Sequence, residues 1–378
     1  METSPVTLHT QADPLIQKGS IIIYRVFDVA GEINLVEVER IYRARSGGTR
    51  LSIARGGRNS PIMRNAPVRV ELGETVFKLG LEQVKADVSV KIFDYGVLSL
   101  SYNLAIPPRT SFSQLISRAG LINGDLPGTE ELDELAKKHA AEVLNTILAA
   151  TKNPVMWSTF EDYALYFLES IEGIDKPSKW MKVGKIPELL LGEPIDPIST
   201  NSREGILEIA NQYSENDLAV IDWNSAVVIE PTGQKDIPDV IEFALTHLLE
   251  FRFYDDLLDR RLASLYDAIE EKRNEVLKSS FAKLSRDANS KFLEFSEFLE
   301  RIDNSLKVVG DFYLAVVFRA ALRRFRIKDW QQSLTRKLNL MAQVSQLLQA
   351  EVNVYRSHIL ELIIIALILF EVIQAIAR

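Results

Sequence analysis

The stretch IIIYRVFDV, Ile21 to Val29, is a run of apolar and β-branched residues of strand length. The chain after it carries further strand-like runs, which are VRVEL near Val68, DVSVKIF (Asp87 to Phe93), GVLSLSYNLAI (Gly96 to Ile106), EDYALYFLES (Glu161 to Ser170) and DLAVIDWNSAVVIEP. The second and third of these alternate in polarity around Asp94-Tyr95-Gly96, which predicts a β-hairpin. The last run predicts two strands with a turn at Trp223-Asn224-Ser225.

Helical segments lie between these strands. NLVEVERIYRA spaces its apolar residues as a helix does, with Asn34 as its N-cap, and TSFSQLISRAG opens on the cap residues Thr110 and Ser111. The other helices expected here are Glu131 to Ala150, which is amphipathic, and two short ones at Glu188 to Leu191 and Ile206 to Tyr213. Strands and helices therefore interleave up to about Pro231, as in an α+β or α/β unit.

The rest of the chain is expected to be nearly all helix. All 14 prolines lie at or before Pro238, and the residues after it contain a single glycine, Gly310. Apolar residues then recur at alternating steps of four and three, which indicates helices with an apolar seam for a partner helix. These seam positions are Leu258, Leu262, Leu265, Ile269; Ala288, Phe292, Phe295, Leu299, Ile302, Leu306, Val309; and Trp330, Leu334, Met341, Val344, Leu348, Val352, Tyr355.

Together these patterns predict an α+β protein in which a long-helix, coiled-coil-like region follows a mixed domain. We expect a flexible leader at 1–19, an α+β domain at 20–238, a long-helix hairpin at 239–354 and a hydrophobic C-terminal helix at 355–378. The hairpin would turn near Asp303 to Gly310 or near Ile327 to Trp330. The apolar seams are also compatible with self-association into a homo-oligomer.

Composition excludes several classes of site. The chain has no cysteine, so disulfides, thiolate metal sites, iron–sulfur clusters and a cysteine nucleophile are excluded. A net charge of −8 argues against a nucleic-acid binder over the whole surface, although local basic patches remain compatible with it. The first 20 residues lack the features of a secretory signal or a mitochondrial transit peptide, so we expect a polar leader. We expect no cofactor.

The segment from Arg40 to Val70 contains eight arginines and no acidic residue. Glycine pairs lie inside it, in RSGGTR and RGGR, but it has no Walker A pattern. Arginine forks bind phosphate, so this segment is a candidate contact for RNA or another anion. The alternative, which we favour, is a solvated basic edge. The candidate contacts are Arg43, Arg45, Arg50, Arg55, Arg58 and Arg64.

Three other groups of polar residues favour structural interpretations. A second basic cluster with helical spacing could bind lipid headgroups or RNA, or could form ion pairs with the acids of Phe243 to Glu300, which is the interpretation we favour. Its members are Arg319, Arg323, Arg324, Arg326, Lys328, Arg336 and Lys337. His139, His247 and His358 are each followed three residues later by glutamate, the reverse of the di-metal order, so we expect solvated helical pairs and no metal. Asp255 and Asp259 are expected to pair with Arg252, Arg260 and Arg261.

The last residues, Ile359 to Ala377, form a borderline membrane span. Thirteen of these 19 residues are Leu, Ile, Val or Phe, worth roughly −4 to −8 kcal/mol of insertion free energy together. Glu361 and Glu371 each oppose insertion by up to about 3 kcal/mol, less near an end. The nine apolar residues from Leu362 to Phe370 cover every side of a helix, so it must be buried in lipid or protein. Arginines precede the tail, which places the bulk in the cytoplasm.

Ser357 to Val372 resembles the C-terminal signature of the YagE family, whose eukaryotic members are named for meiotic nuclear division. Leu362 stands where that family has tryptophan and Ile359 where it has arginine. The stretches Ile92 to Pro107 and Leu248 to Asp267 resemble bacterial members more loosely. The matching tail positions are His358, Leu360, Glu361, Ile363, Ile364, Ile365, Leu367, Ile368 and Glu371.

This resemblance implies an α+β front, long helices and a hydrophobic C-terminal segment. In mitochondrial members it implies association with the inner membrane, self-assembly and support of translation, with no enzymatic activity established. The absent transit features indicate a bacterial-type member, which puts the mitochondrial ribosome role itself in question.

We therefore predict a non-enzymatic, membrane-associated, self-assembling adaptor or scaffold. Its tail element would comprise His358, Glu361, Ile364, Leu367 and Glu371, and its partners would be itself, the cytoplasmic membrane and, through the arginines, RNA or the ribosome. The main alternative is a soluble cytoplasmic homo-oligomer whose tail is buried between subunits. A phosphate- or metal-dependent hydrolase is a third class that no motif supports.

Overall fold

The structure is a computed structural model that describes residues 13–45, 66–123, 129–174, 176–177, 181, 185–192, 198–271, 290, 293, 295–297, 300 and 312–376. A mixed domain of strands and helices comes first, long helices follow it, and an apolar helix ends the chain. The predicted α+β fold class is therefore confirmed. The predicted leader 1–19 lies outside the described residues up to residue 12, and β1 begins at Leu15.

The described strands are β1 (Leu15–Asp28), β2 (Ala30–Ile33), β3 (Val68–Leu79), β4 (Glu82–Ile92), β5 (Val97–Ala105), β6 (Thr110–Ser111), β7 (Thr151–Pro154), β8 (Phe160–Glu172), β9 (Ala210–Asn211), β10 (Leu218–Ile221) and β11 (Ser225–Ile229). The described helices are α1 (Leu35–Arg45), α2 (Phe112–Asn123), α3 (Glu130–Ile147), α4 (Ile186–Leu191), α5 (Thr200–Leu207), α6 (Asp236–Glu271), α7 (Phe312–Arg324) and α8 (Ile327–Ile376).

Strand β1 lies in the middle of the main sheet. It pairs antiparallel with β5 on one side and with β8 on the other, and the sheet order is β3-β4-β5-β1-β8-β11-β10-β9. Only the β8–β11 pairing of this described sheet is parallel. Ile21 and Ile23 are buried on one face, and Ile22 and Tyr24 are buried on the other. A strand buried on both faces is apolar without alternation, which explains the run IIIYRVFDV.

Helices α1, α2 and α3 share a core with one face of this sheet. The buried positions of α3 recur at steps of four and three, which confirms the amphipathic helix predicted there. Full burial of a side chain the size of leucine contributes about 1.5–3 kcal/mol relative to exposure. The buried α3 residues are Leu132, Ala136, Ala140, Val143 and Ile147, and all five belong to the same cluster as Ile21 and Ile23.

The opposite face carries Tyr24 and is covered by aromatic packing. Phe243 of α6 stacks on Phe93 with ring centroids 6.3 Å apart and on Phe318 of α7 at 5.4 Å. Tyr163, which pairs with Tyr24 across β8 and β1, meets the ring of Phe325 edge-on at 5.6 Å. Aromatic pairs in these geometries stabilise a core beyond their buried area.

The chain divides into two compact units, 1–250 with 305–327 and 251–304 with 328–378. The first unit extends beyond residue 238, because the beginning of α6 and all of α7 pack against the sheet domain. In the second unit the predicted seam residues Leu258, Leu262, Leu334, Met341 and Val344 are buried, as is Phe295. The side chains of the remaining seam positions lie outside the described residues, except for Trp330, which is half-buried.

Local sequence signals account for the starts of helices α1 and α2. The Asn34 side chain accepts hydrogen bonds from the backbone N–H groups of Val36 and Glu37, as expected of the N-cap of α1. Ser111 and Gln114 bond reciprocally at the start of α2, which is a capping box. Helices α7 and α8 are separated at Phe325 and Arg326, beside the predicted turn at 327–330. The alternative turn at 303–310 lies outside the described residues.

The helix predicted at Ile206 to Tyr213 is wrong. Helix α5 begins six residues earlier, because Ser199 is its N-cap and accepts a hydrogen bond from the Ser202 N–H. The following residues form β9, which pairs with β10. The carboxylate of Asp217 then accepts the backbone N–H groups of Tyr213 and Ser214 and stabilises a turn there.

The hairpin between β4 and β5 yields a direct test of close packing. Gly96 and Gly73 share a φ of 95°, which disfavours any side chain. A Cβ atom on Gly96 would also come within 2.6 Å of the carbonyl carbon of Ala30, whereas one on Gly73 would meet nothing within 4 Å. We expect Gly73→Ala to lower the free energy of unfolding by about 1–2 kcal/mol. Gly96→Ala should lower it by about 3 kcal/mol or more.

Urea unfolding of both variants followed by circular dichroism measures this difference. Equal losses for the two glycines would show that the contact with Ala30 is not a constraint on the hairpin.

Candidate functional site

A polar cleft lies on the sheet face that carries Tyr24, beside the start of α6. Every second residue of β4 and β5 points to this face, as does every second residue of β3 up to the bulge between Glu71 and Gly73, and the intervening residues point into the core with α1 to α3. The cleft has a volume of about 360 Å³, within the range of small-molecule sites. It is lined by Ile22, Tyr24, Arg69, Glu71, Gly73, Glu74, Asp87, Ser89, Lys91, Ser101, Asn103, Lys235, Pro238, Asp239 and Glu242.

One end of the cleft is fixed by a buried ion triad. The Lys91 ammonium lies 2.8 Å from Oδ1 of Asp239 and 2.6 Å from Oε2 of Glu242. Burial alone would lower the pKa of Lys91, but the two carboxylates outweigh it and hold this pKa above its ordinary value. Lys91 therefore stays charged at neutral pH, and the triad links β4 to the first turns of α6.

Hydroxyl groups form the middle of the cleft floor. Ser89 and Ser101 face each other across β4 and β5, with their side-chain oxygens 2.8 Å apart. Burial and the carboxylates of Glu242 and Asp239 raise the pKa of Tyr24 well above its ordinary value, so its hydroxyl stays protonated. These groups are neutral and can both donate and accept hydrogen bonds.

Two acceptor atoms of the cleft are buried without a donor among the described residues. Oε1 of Glu242 and Oδ1 of Asn103 make no hydrogen bond there, although Glu242 is 2% exposed. A buried acceptor that lacks a donor destabilises a protein, so such atoms commonly indicate a bound water or ligand. Asp87, directly opposite Asn103 in the strand register, is exposed at the rim.

The sequence carried a signal for this cleft, but its register could not be assigned. Asp87, Ser89 and Lys91 alternate with valines along β4, and Ser101 and Asn103 alternate with leucine and tyrosine along β5. The same alternation predicted the strands. Only the pairing of the strands places these polar residues side by side and brings α6 above them.

The terminal helix is the second candidate site. Ser357 to Ile376 form a helical segment of 20 residues with a mean hydropathy of 2.6, and none of it is buried. Ile364 and Leu367 are 56% and 62% exposed. His358 Nδ1 lies 3.7 Å from the carboxylate of Glu361, and both side chains are exposed, as is Glu371. The five predicted tail residues thus lie on one exposed helix.

The predicted arginine contacts fall mostly outside the described residues. Arg43 is exposed and its guanidinium lies 3.4 Å from Glu39. Arg45 ends α1, and its side chain is not among the described ones. Arg50, Arg55, Arg58 and Arg64 lie outside the described residues. At the two ends of the segment, Arg40 pairs with Glu37 and Arg69 with Glu71.

The second basic cluster pairs with acids, but only partly with the expected ones. Lys337 lies 2.8 Å from Asp255 and 2.6 Å from Asp259, as predicted for acids of the 243–300 region. Arg323 instead pairs with Glu208, and Arg324 pairs with Asp222. Helix α7 packs on the sheet domain, so its arginines reach the acids of that domain. Among the aspartates of YDDLLDRR, Asp255 and Asp259 thus contact Lys337, whereas Asp256 pairs at 2.7 Å with Arg260, one of the expected arginines.

The histidine prediction is wrong for two of its three residues. His139 is half-buried and its Nδ1 lies 2.9 Å from the Tyr102 hydroxyl, with the two rings stacked. His247 is buried among aromatic rings, where burial lowers its pKa to about 4 and Nδ1 bonds the Phe243 carbonyl oxygen. Only His358 forms the expected solvated pair. The described residues contain no group of three potential metal ligands.

Comparisons with known proteins identify the front of the chain. Residues 18–236 match the family described as "Uncharacterized protein MJ0711, N-terminal domain". The uncharacterized protein MJ0711 of Methanocaldococcus jannaschii is 23% identical over 220 residues, which are 58% of this chain and 66% of that protein. The chain therefore belongs to the MJ0711 N-terminal domain family. No solved structure matches.

The family match ends where α6 begins. It includes β1 to β11 almost entire, and with them most of the cleft, but not Pro238, Asp239 or Glu242. The tail that resembles the YagE signature lies beyond the match.

Replacing the buried ammonium of the ion triad tests its role in holding α6. Lys91→Met leaves two carboxylates without their cation, so we expect the free energy of unfolding to fall by about 3–5 kcal/mol. Lys85→Met is a matched control on the same strand, because Lys85 and its partner Glu74 are both exposed, and it should leave the free energy of unfolding nearly unchanged.

The same comparison can be repeated across pH. The pKa of Lys91 is raised above the 10.5 of an unperturbed lysine, so its contribution is complete below that pH and is lost only as pH rises through the folded-state pKa. The difference between Lys91→Met and wild type should therefore be constant from about pH 6 to about pH 9. Equal stabilities of the two lysine variants in urea would contradict the role of the triad.

Proposed function

We propose that this member of the MJ0711 N-terminal domain family is a membrane-anchored, self-assembling scaffold without catalytic activity. The main observation that supports this proposal is the exposed apolar helix from Ser357 to Ile376. Its bulk would lie in the cytoplasm, with the tail in the cytoplasmic membrane.

The length and exposure of this helix support a membrane span. Twenty helical residues extend about 30 Å, the thickness of the hydrocarbon layer of a bilayer. Every described side chain from Leu360 to Ile376 is exposed, on all sides of the helix. An apolar surface of this size is unstable in water, so lipid or another protein surface must cover it.

The flanking charges support the orientation. Arg336, Lys337 and Arg356 precede the tail, and only Arg378 follows it. Basic residues near a span are retained on the cytoplasmic side, which would place the preceding domain there.

The two glutamates of the tail support self-assembly. Glu361 would lie near one end of the span, where it can reach the interface, but Glu371 would lie deeper. An ionisable group within a membrane segment usually faces a protein partner, and a second copy of the tail would supply one. The resemblance of both glutamates to the YagE signature agrees with a role for them in assembly.

The runner-up is a soluble homo-oligomer in which the tails bury one another. The same exposed surface supports it, since a helix apolar all round can be buried in protein as well as in lipid. Its location would then be the cytoplasm.

An RNA or ribosome contact is a second candidate function. Eight arginines and no acid between Arg40 and Val70 favour it, and so does the link of YagE relatives to translation. This contact would let the scaffold hold ribosomes or RNA near the membrane.

Charged substitutions in the tail test the anchor. Ile364→Arg and Leu367→Arg each place a guanidinium near the middle of the span, which costs about 2.5–3.5 kcal/mol of insertion free energy. We expect the double variant to leave the membrane fraction that the wild type occupies. Ser357→Arg, at the boundary of the span, is the control and should remain in that fraction.

A shortened chain, residues 1–355, adds a second measurement by light scattering. If the wild type is already soluble and the shortened chain falls to a monomer, the anchor is excluded and the soluble oligomer is supported.

Removal of arginine charge tests the RNA contact. Changing Arg50, Arg55 and Arg58 together to glutamine should weaken retention on RNA and flatten its salt dependence, by about 0.7–0.9 in logarithmic slope for each lost phosphate contact. A control with the same charge change is Lys138, Lys152 and Lys176 to glutamine, of which the first two are exposed and the third is half-buried. Identical salt slopes for the two triple variants would rule this segment out as a specific contact.

A further inference from the structure

We propose that the polar cleft of the first unit binds a linear polyamine, a flexible aliphatic cation with amino groups at both ends. This inference concerns a small-molecule ligand, so it goes beyond a scaffold function and does not depend on the membrane anchor.

Two buried acceptor atoms of the cleft lack a hydrogen-bond donor. Glu242 Oε1 and Asn103 Oδ1 can accept hydrogen bonds, and neither has a donor among the described residues. Oε2 of Glu242 is occupied by Lys91, so the orphaned oxygen belongs to a carboxylate whose other oxygen is already held in place. A ligand ammonium group supplies several N–H donors and a positive charge, which together satisfy such an oxygen.

The charges of the lining select a cation over an anion. Five carboxylates and three basic groups line the cleft. Lys91 is occupied by Asp239 and Glu242, and Arg69 is occupied by Glu71 at 2.9 Å. Lys235 is the remaining base and is exposed. Glu74 is paired with Lys85 at 2.6 Å, so the negative charge left for a ligand is that of Asp87 and of the second oxygen of Glu242. Their attraction for a cation falls with salt.

The acceptors lie at two separated points, which indicates a ligand with two amino groups. Glu242 is fixed beside Lys91, whereas Asn103 and Asp87 face each other four residues further along β4. Four residues of an antiparallel strand extend about 13 Å, which sets the approximate separation of the two acceptor points. The hydroxyls of Ser89 and Ser101 lie between them and could contact a central amine.

Asp87 completes the site at its open end. It makes no hydrogen bond or ion pair with another described residue and is exposed beside Asn103. An amino group there would have a carboxylate and an amide oxygen as partners. The other end would hold its amino group against the buried Glu242.

Calorimetric titration of the full chain with spermidine tests this site. We expect one spermidine per chain, weaker binding of the shorter 1,4-diaminobutane, and none of the neutral 1,8-octanediol. Glu242→Gln should weaken spermidine binding by roughly tenfold or more, since it removes a charge-assisted contact. Glu142→Gln, an exposed change of equal charge on α3, is the matched control and should bind as the wild type does.

Asn103→Leu is a second variant that tests the same site if Glu242→Gln fails to fold. Oδ1 of Asn103 accepts no hydrogen bond from another described residue, so removing the amide should leave the melting temperature of the free protein unchanged or higher while spermidine affinity falls. A lower melting temperature with unchanged affinity would mean that Asn103 is a hydrated structural residue, and would overturn the proposal.

Two further outcomes would overturn it. One is an equal loss of affinity in Glu142→Gln and Glu242→Gln, and the other is an equal response to Mg²⁺ and spermidine at matched ionic strength. Either would show that spermidine responds to the net charge of −8 and not to the cleft. Membrane fractionation does not affect this titration, so failure of the anchor and failure of the polyamine site are distinguishable.

Discussion

A lysine ammonium on the inner part of a sheet face must have its charge neutralised, and much of the first unit follows from this constraint. Lys91 of β4 is paired by Asp239 and Glu242, two residues three apart in the first turns of α6. Once α6 is held there, Phe243 lies on Phe93 and meets Phe318 of α7. The long α6 helix therefore starts as part of the sheet domain. The cleft exists because the same polar strand face continues beyond the point that α6 covers.

Sequence patterns predicted the elements of this protein better than their arrangement. The run IIIYRVFDV, the hairpin at Asp94-Tyr95-Gly96 and the N-cap Asn34 are local signals, and each is found where it was expected. The cleft depends on strand register, and the partners of Arg323 and Arg324 depend on where α7 packs. Such long-range pairings are not encoded in periodicity. The misplaced helix at 206–213 has a different cause, since a serine cap outweighed the apolar spacing.

The two candidate sites have opposite physical character. The terminal helix presents apolar side chains that water does not solvate, while the cleft buries polar atoms that lack a donor. Each lowers the stability of the isolated chain, and a partner of matching chemistry removes that destabilisation. Natural proteins retain such local costs chiefly where a site needs them. Family membership connects the cleft side of the molecule to archaeal relatives, whereas the resemblance to YagE proteins depends mainly on the tail.

Helix α8 runs unbroken from Ile327 to Ile376 and contains neither proline nor glycine. Kinks in helices arise mainly at those residues, so this helix acts as a stiff rod about 75 Å long. Its last buried side chain among the described ones is Val344, and its bare apolar part begins at Ser357. About 20 Å of helix separates the two. Because α8 is continuous, the distance between Val344 and the apolar end stays at this value unless the helix bends or breaks.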